Sequence, residues 1–173
     1  MKNIVLIGFM GTGKSSIGRI LAKRLDRPLI DTDAKIEKDY GKKISEIFAE
    51  SGEEGFRKIE EAVIEEVSRM EGVIISTGGG SVLRKANVKA LRRNGILITL
   101  TASPEVILER VSRKKTRPLL NRPDRDEFVR NLMEERKPFY NSAANLIIDT
   151  SGNALHEVTR KIIGYLLKRG ELK

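Results

Sequence analysis

Five short apolar runs punctuate the chain, at residues 3–7, 29–30, 73–77, 96–101 and 146–149. They are rich in Ile, Val and Leu and hardly alternate with polar residues, as strands buried on both faces do. Between them apolar residues recur at helical spacing. Ile17, Ile20, Leu21 and Leu25 form one such stripe, and Ile44, Ile47 and Phe48 a second. Phe56, Ile59, Val63, Ile64 and Val67 form a third, set off from the second by Ser51-Gly52. Further stripes run through Phe128, Leu132 and Met133, and through Leu155, Val158, Ile162, Ile163 and Leu166. Ser103-Pro104-Glu105 reads as an N-cap, a first-turn proline and a first-turn acid, predicting a helix through Val111. Strands alternating with helices predict an α/β fold: a parallel sheet with helices on both faces, three layers deep. No internal repeat or low-complexity tract interrupts the pattern.

The first run leads into the sharpest motif. Gly8-Phe9-Met10-Gly11-Thr12-Gly13-Lys14-Ser15 matches the phosphate-loop pattern G-x-x-x-x-G-K-[ST] at every fixed position, between a predicted strand and a predicted helix. Glycines let backbone N–H groups turn inward and cradle phosphate oxygens. The helix N-terminus adds partial positive charge. Lys14 can reach the outer phosphates of a nucleotide, and the Ser15 hydroxyl can ligate Mg²⁺.

Other candidate chemistry lies mostly at strand ends. Asp31 and Asp33 follow the second run, at the ligand edge of an open α/β sheet. In an extended segment they would point the same way, one toward Mg²⁺ and the other toward an acceptor hydroxyl. Asp33 also stands where an N-cap would precede Ala34-Lys35-Ile36-Glu37, and one residue can serve as both. Arg57 has Glu60 and Glu61 three and four residues on. The spacing by itself favours a surface ion pair over a guanidinium aimed into a cleft. Gly78-Gly79-Gly80 closes the third run and suggests close backbone approach to a ligand. Ser76 and Thr77 occupy the place where many phosphate-loop proteins carry a magnesium acid, which leaves Asp31 as the best candidate. From Arg113 to Arg125 there are six basic residues with Pro118 and Pro123, a composition that suits a cationic closing lid.

Composition narrows the classes. The 173 residues suggest one domain, and 39% hydrophobic with 33% charged residues describes a globular chain. No apolar run approaches the roughly 20 residues of a membrane span, and the N-terminus does not read as a secretory signal. With no Cys, disulfides and thiolate metal sites are excluded, which agrees with a cytoplasmic home. His156, the single histidine, reads as an ordinary helix residue, which argues against a zinc site or a catalytic triad. The net charge of +9 fits anionic substrates better than nucleic acid, because aromatics are only 5% and no recognition motif appears.

Together these residues resemble the shikimate kinase family over nearly the whole chain. The resemblance rests on the phosphate loop through Ser16-Ile17-Gly18, on Asp31-Thr32-Asp33, and on Gly55-Phe56-Arg57-Lys58-Ile59-Glu60. It extends through Gly78-Gly79-Gly80, Arg117-Pro118-Leu119-Leu120 and Arg136-Lys137-Pro138-Phe139-Tyr140. It implies a single phosphate-loop kinase domain like the nucleoside monophosphate kinases, with sheet order 2-3-1-4-5. A substrate-binding segment would lie near residues 33–60 and a mobile lid near 112–125. The implied reaction transfers a phosphoryl group from ATP to shikimate, with Mg²⁺, giving ADP and shikimate 3-phosphate.

Roles follow from the same resemblance. Gly11, Thr12, Gly13, Lys14, Ser15 and Ser16 would hold the phosphates, with Arg110 and Asn153 bordering the adenine. Ser15 and Asp31 would hold the metal. Asp33 would bind ring hydroxyls and accept the proton. Arg57, Arg136 and the backbone of Gly78, Gly79 and Gly80 would hold shikimate, with Glu60 orienting Arg57. Arg117 would meet the transferring phosphoryl group. Partners would be small molecules only, without nucleic acid or membrane, and the protein a monomer. The competing readings are a gluconate or nucleotide kinase of the same fold, and a non-catalytic nucleic-acid or partner-binding protein. A lone regulatory domain is weakened by the compact span from Met1 to Lys173.

Overall fold

The structure is a computed structural model that describes residues 1–113 and 123–172. At its centre stands strand β1 (Asn3–Ile7), buried at every position. Its neighbours are β3 (Ile74–Ser76) and β4 (Gly95–Thr101), both parallel to it, so that Val5 lies opposite Ile75 on one side and Leu97 on the other. Strand β2 (Leu29–Asp31) pairs outside β3 and β5 (Leu146–Asp149) outside β4. The order is β2-β3-β1-β4-β5, as the family resemblance implies.

The period-2 pleat sorts the apolar side chains of this sheet into two cores. Val5, Ile7, Ile75 and Leu97 face one, where α3 (Ile44–Ser68), α4 (Lys85–Arg93) and α6 (Arg125–Ala143) contribute Ile64, Leu91 and Val129. Ile4, Leu6, Ile74, Ile96 and Ile98 face the other, where α1 (Lys14–Leu25) and α7 (Leu155–Lys168) contribute Ile17, Leu21, Val158 and Ile162. The predicted three layers are therefore present. Each fully buried Ile or Leu contributes about 1.5–3 kcal/mol of transfer free energy, so the continuous apolar runs account for the sheet's burial on both faces.

Two elements differ from the sequence pattern. The residues expected as two helices around Ser51-Gly52 form α3 with a break at Gly52, whose φ of 67° and ψ of −176° are not helical. A left-handed φ of this kind favours glycine. The pattern gave no helix between β3 and β4, yet a short 3₁₀ turn (Ser81–Leu83) and α4 fill that connection. Helix α4 reads KANVKALRR, and its buried stripe is narrow: Asn87, Ala90 and Leu91. The signal that would have found it is topological, since successive parallel strands need a crossover between them. The expected N-cap of α5 (Pro104–Ser112) is present, with the Ser103 hydroxyl accepting from the Val106 N–H.

Candidate active site

Three glycines shape the phosphate loop. Gly8, Gly11 and Gly13 have φ of 139°, 79° and 97°, values that disfavour any side chain. Gly8 also packs directly on the Leu100 carbonyl of β4, leaving no room for a Cβ. The Thr12 hydroxyl donates to the Phe9 carbonyl at 2.8 Å and tightens the turn. Helix α1 then begins at Lys14 with no side-chain cap and no acid in its first turn. Its first N–H groups therefore point out of the helix end with no acid of the helix's own to engage them, the arrangement that attracts phosphate. The Lys14 ammonium folds over the loop, donating to the carbonyls of Gly8 (2.7 Å) and Phe9 (3.0 Å).

The loop is braced from the far side of the sheet. Arg110 of α5 donates to the Gly11 carbonyl at 3.2 Å, to the Thr150 hydroxyl oxygen at 3.0 Å and to the Thr150 carbonyl at 2.8 Å. The buried Thr150 hydroxyl lies 3.1 Å from the Thr12 carbonyl and 3.0 Å from that of Thr101. Nothing in the sequence pattern singles out Thr150, because a threonine between a strand and a turn is unremarkable. Arg110 and Asn153 both line the same cavity as the loop, a space of about 540 Å³ that also borders Lys14, Asp31, Asp33 and Gly79. Asn153 is held there by its side-chain N–H donating to the Asp149 carbonyl (3.0 Å) and by Lys161 (3.1 Å).

The two acids divide their work differently from the extended-segment expectation. Helix α2 (Thr32–Tyr40) starts directly after Asp31, so only Asp31 is extended and Asp33 sits in the first helical turn. The N-cap is Asp31, not Asp33: its Oδ1 accepts from the N–H groups of Asp33 (3.1 Å) and Ala34 (3.2 Å). Its Oδ2 accepts the Ser15 hydroxyl at 3.1 Å. The earlier helix start still brings both acids to the wall of the same cavity. Ser15 and Asp31 pair a hydroxyl with a carboxylate beside the phosphate cradle. These are hard oxygen donors of the type Mg²⁺ takes when it shares its coordination with substrate phosphates.

Opposite the loop, two of three consecutive glycines, Gly78 and Gly80, make room for side chains, and Gly79 between them lies within contact of a third. A Cβ at Gly78 would lie 2.6 Å from Asp33 Oδ1 and 3.1 Å from Glu60 Oε1. A Cβ at Gly79 would face Arg136 Nη1 at 3.9 Å, and one at Gly80 would collide with the Arg57 guanidinium. So an acid and two guanidiniums, drawn from α2, α3 and α6, converge on one stretch of bare backbone. The Arg57 pair is no surface pair: Arg57 is 9% exposed and Glu60 1%, with 2.7 Å between Nη1 and Oε2. Spacing favoured the surface reading because it carries no information on burial. Arg57 also lies over the Phe56 ring, and Arg136 over the Phe9 ring of the phosphate loop. The Nε of Arg136 is buried without a hydrogen-bond partner, an unsatisfied donor beside this backbone.

Tyr140, on the same helix as Arg136, donates its phenol to the Gly79 carbonyl. Burial pushes the Tyr140 phenol up to about 12, against the opposing pull of Arg136. Neither Tyr140 nor Ser81, whose hydroxyl donates to Glu60 at 2.8 Å, is marked by residue type or spacing. Arg117 and the centre of the expected lid lie outside the described residues. His156 is exposed on α7.

Comparison with known proteins points one way. A family model described as shikimate kinase matches residues 10–167. A shikimate kinase of Pelotomaculum thermopropionicum is 50% identical over 166 residues, covering 96% of both chains. One from Caldanaerobacter subterraneus subsp. tengcongensis is 47% identical, covering 97% of this chain and 98% of its own. Among solved structures, a shikimate kinase from Acinetobacter baumannii in complex with shikimate superposes with a TM-score of 0.92. It is 36% identical and covers 98% of this chain and 94% of its own.

Proposed function

The chain belongs to the shikimate kinase family, and we propose that it transfers the γ-phosphoryl group of ATP to the 3-hydroxyl of shikimate, giving shikimate 3-phosphate and ADP. This is a step of chorismate and aromatic amino-acid biosynthesis. The observation that carries the reading is the convergence of Asp33, Arg136 and Arg57 on Gly78-Gly79-Gly80, across from the phosphate loop. A phosphate cradle alone describes many nucleotide-binding proteins. Two guanidiniums beside a carboxylate describe a pocket for a small polyhydroxylated acid.

The chemistry asks mainly for positioning and charge, because phosphoryl transfer proceeds through a loose transition state. The N–H groups at the α1 terminus and the loop hold the nucleotide phosphates. Lys14 exchanges its contacts with the Gly8 and Phe9 carbonyls for phosphate oxygens as the nucleotide arrives. Ser15 and Asp31 hold Mg²⁺, which when bound neutralises phosphate charge. Arg57 and Arg136 take the carboxylate of shikimate, for which a planar guanidinium fork is suited. Asp33 accepts the proton of the attacking hydroxyl, whose oxygen forms the new bond to phosphorus while the bond to the ADP oxygen breaks. Arg110 and Asn153 border the base, and Arg117 meets the transferring group. The protein works as a monomer in the cytoplasm, where its co-substrate ATP is.

The test is direct. Pure protein, ATP and Mg²⁺ should release ADP only when shikimate is added, and a panel including gluconate and nucleoside monophosphates should give none. ADP release indifferent to shikimate would overturn the proposal.

A further inference from the structure

Behind Arg57 a buried polar chain runs back to α4. Glu60 accepts from Arg57 Nη1 at its Oε2 (2.7 Å) and from the Ser81 hydroxyl at its Oε1 (2.8 Å). The Ser81 carbonyl in turn accepts from Asn87 Nδ2 at 2.9 Å. All four residues are buried: Arg57 is 9% exposed, Glu60 1%, Ser81 0% and Asn87 1%. A carboxylate at that depth is costly unless both oxygens are bonded. Gly78 leaves the space that Glu60 Oε1 occupies, and Gly80 the space of the guanidinium.

The geometry has a mechanical content. An ion pair through one carboxylate oxygen leaves the carboxylate plane free to turn. Fixing the second oxygen removes that freedom, and the plane then sets the direction of the guanidinium paired with it. Ser81 itself sits in the 3₁₀ turn after the glycines, and Asn87 anchors that turn to α4. We propose that Ser81, held by Asn87, is a positioning residue for acceptor recognition: its hydroxyl fixes the plane of the Glu60 carboxylate and so aims Arg57 at the acceptor's carboxylate. This rests on the reading that Arg57 binds the carboxylate of shikimate. It gives α4 a part in specificity although none of its residues lines the cavity beside the phosphate loop.

A double-mutant cycle on kcat/KM for shikimate tests it. Ser81→Ala should lower kcat/KM roughly tenfold, as expected for a buried carboxylate that loses a donor, and mainly through KM. KM for ATP should stay within about twofold, the usual scatter between independent sites. Asn87→Ala should move KM for shikimate in the same direction by a smaller factor. In an Arg57→Ala background, Ser81→Ala should cost less than about twofold, because the group it aims is gone. A merely structural serine would lower thermal stability and cost the same factor in both backgrounds, and that result overturns the proposal. So does a folded Ser81→Ala protein with unchanged kcat/KM. If Ser81→Ala does not fold, Ser81→Cys keeps the volume with a weak donor and should show the same dependence on Arg57. If Arg57→Ala leaves kcat/KM for shikimate intact, the carboxylate reading falls and the positioning role falls with it. If Arg57→Ala is impaired while Ser81→Ala is not, only the positioning role fails.

Discussion

The two halves of the cleft are built on different terms. The proposed nucleotide half is eight consecutive residues whose working atoms would be mostly backbone N–H groups, set by glycine φ angles at Gly8, Gly11 and Gly13. The proposed acceptor half is made of side chains drawn from α2, α3 and α6, meeting over a glycine triplet. A backbone site is written contiguously and fails when a glycine gains a side chain. A side-chain site is assembled by the fold and fails one charge at a time, leaving each lost partner buried and unpaired.

That contrast can be pressed from the strongest perturbation down. Asp33→Asn should lower turnover roughly 10²- to 10⁴-fold, the usual worth of a general base, with shikimate affinity largely kept. Steady-state kinetics alongside binding calorimetry decides it, and full turnover with collapsed affinity would leave Asp33 only a binding group. Arg117→Ala should cost on the order of 10³-fold in kcat, as removal of an arginine acting on a transferring phosphoryl group does. Near-normal kcat would remove Arg117 from the reaction. Arg57→Lys and Arg136→Lys should each weaken shikimate binding about 10- to 100-fold while sparing ATP, since an ammonium cannot reproduce the guanidinium fork. Rescue by lysine would mean that charge alone is recognised.

The glycine triplet offers a finer test. Gly78→Ala and Gly80→Ala push a methyl group into Asp33 and Arg57, whereas Gly79→Ala meets only ordinary contacts. Thermal melts should therefore show a drop of several degrees for the first two, consistent with about 1–3 kcal/mol of overpacking, and little change for the third. The smallest effect concerns pH. The Tyr140 phenol sits near 12 rather than 10, so its neutral form is favoured by folding. That contribution is whole below pH 10. It is lost as pH rises toward 12, because the unfolded chain releases a proton the folded chain keeps. Melting temperature should fall more steeply over that window for the parent protein than for Tyr140→Phe, and parallel curves would show that the phenol is not protected.

Legibility in the sequence follows the same division. The strand before the phosphate loop, the loop and the helix after it are readable because pattern and motif are local. β5 is bounded as expected at Leu146–Asp149. Asp31 and Asp33 were visible as a pair, but which of them caps α2 depended on where the helix starts, and that is a matter of one residue. Arg57 and Glu60 were visible at the right spacing, yet burial decided their character, and burial belongs to the fold. Helix α4 escaped because basic residues dilute its apolar stripe, and Ser81, Tyr140 and Thr150 escaped because their partners are distant along the chain: Glu60, Gly79 and Arg110. What made the acceptor site readable at all was likeness to a family, since no spacing rule joins residues 33, 57 and 136.

The central strand carries one more consequence. β1 is made first, yet both its hydrogen-bonding edges are covered only by β3 and β4, which end at Ser76 and Thr101. While synthesis proceeds through those residues, the ribosome-tethered chain holds out a strand that is apolar from Ile4 to Ile7 and has two open ladders, the form most prone to stick to another copy. The strand that leads into the phosphate loop thus waits for Thr101 before both its edges are covered, and slow translation before that point is where aggregates of this protein should begin.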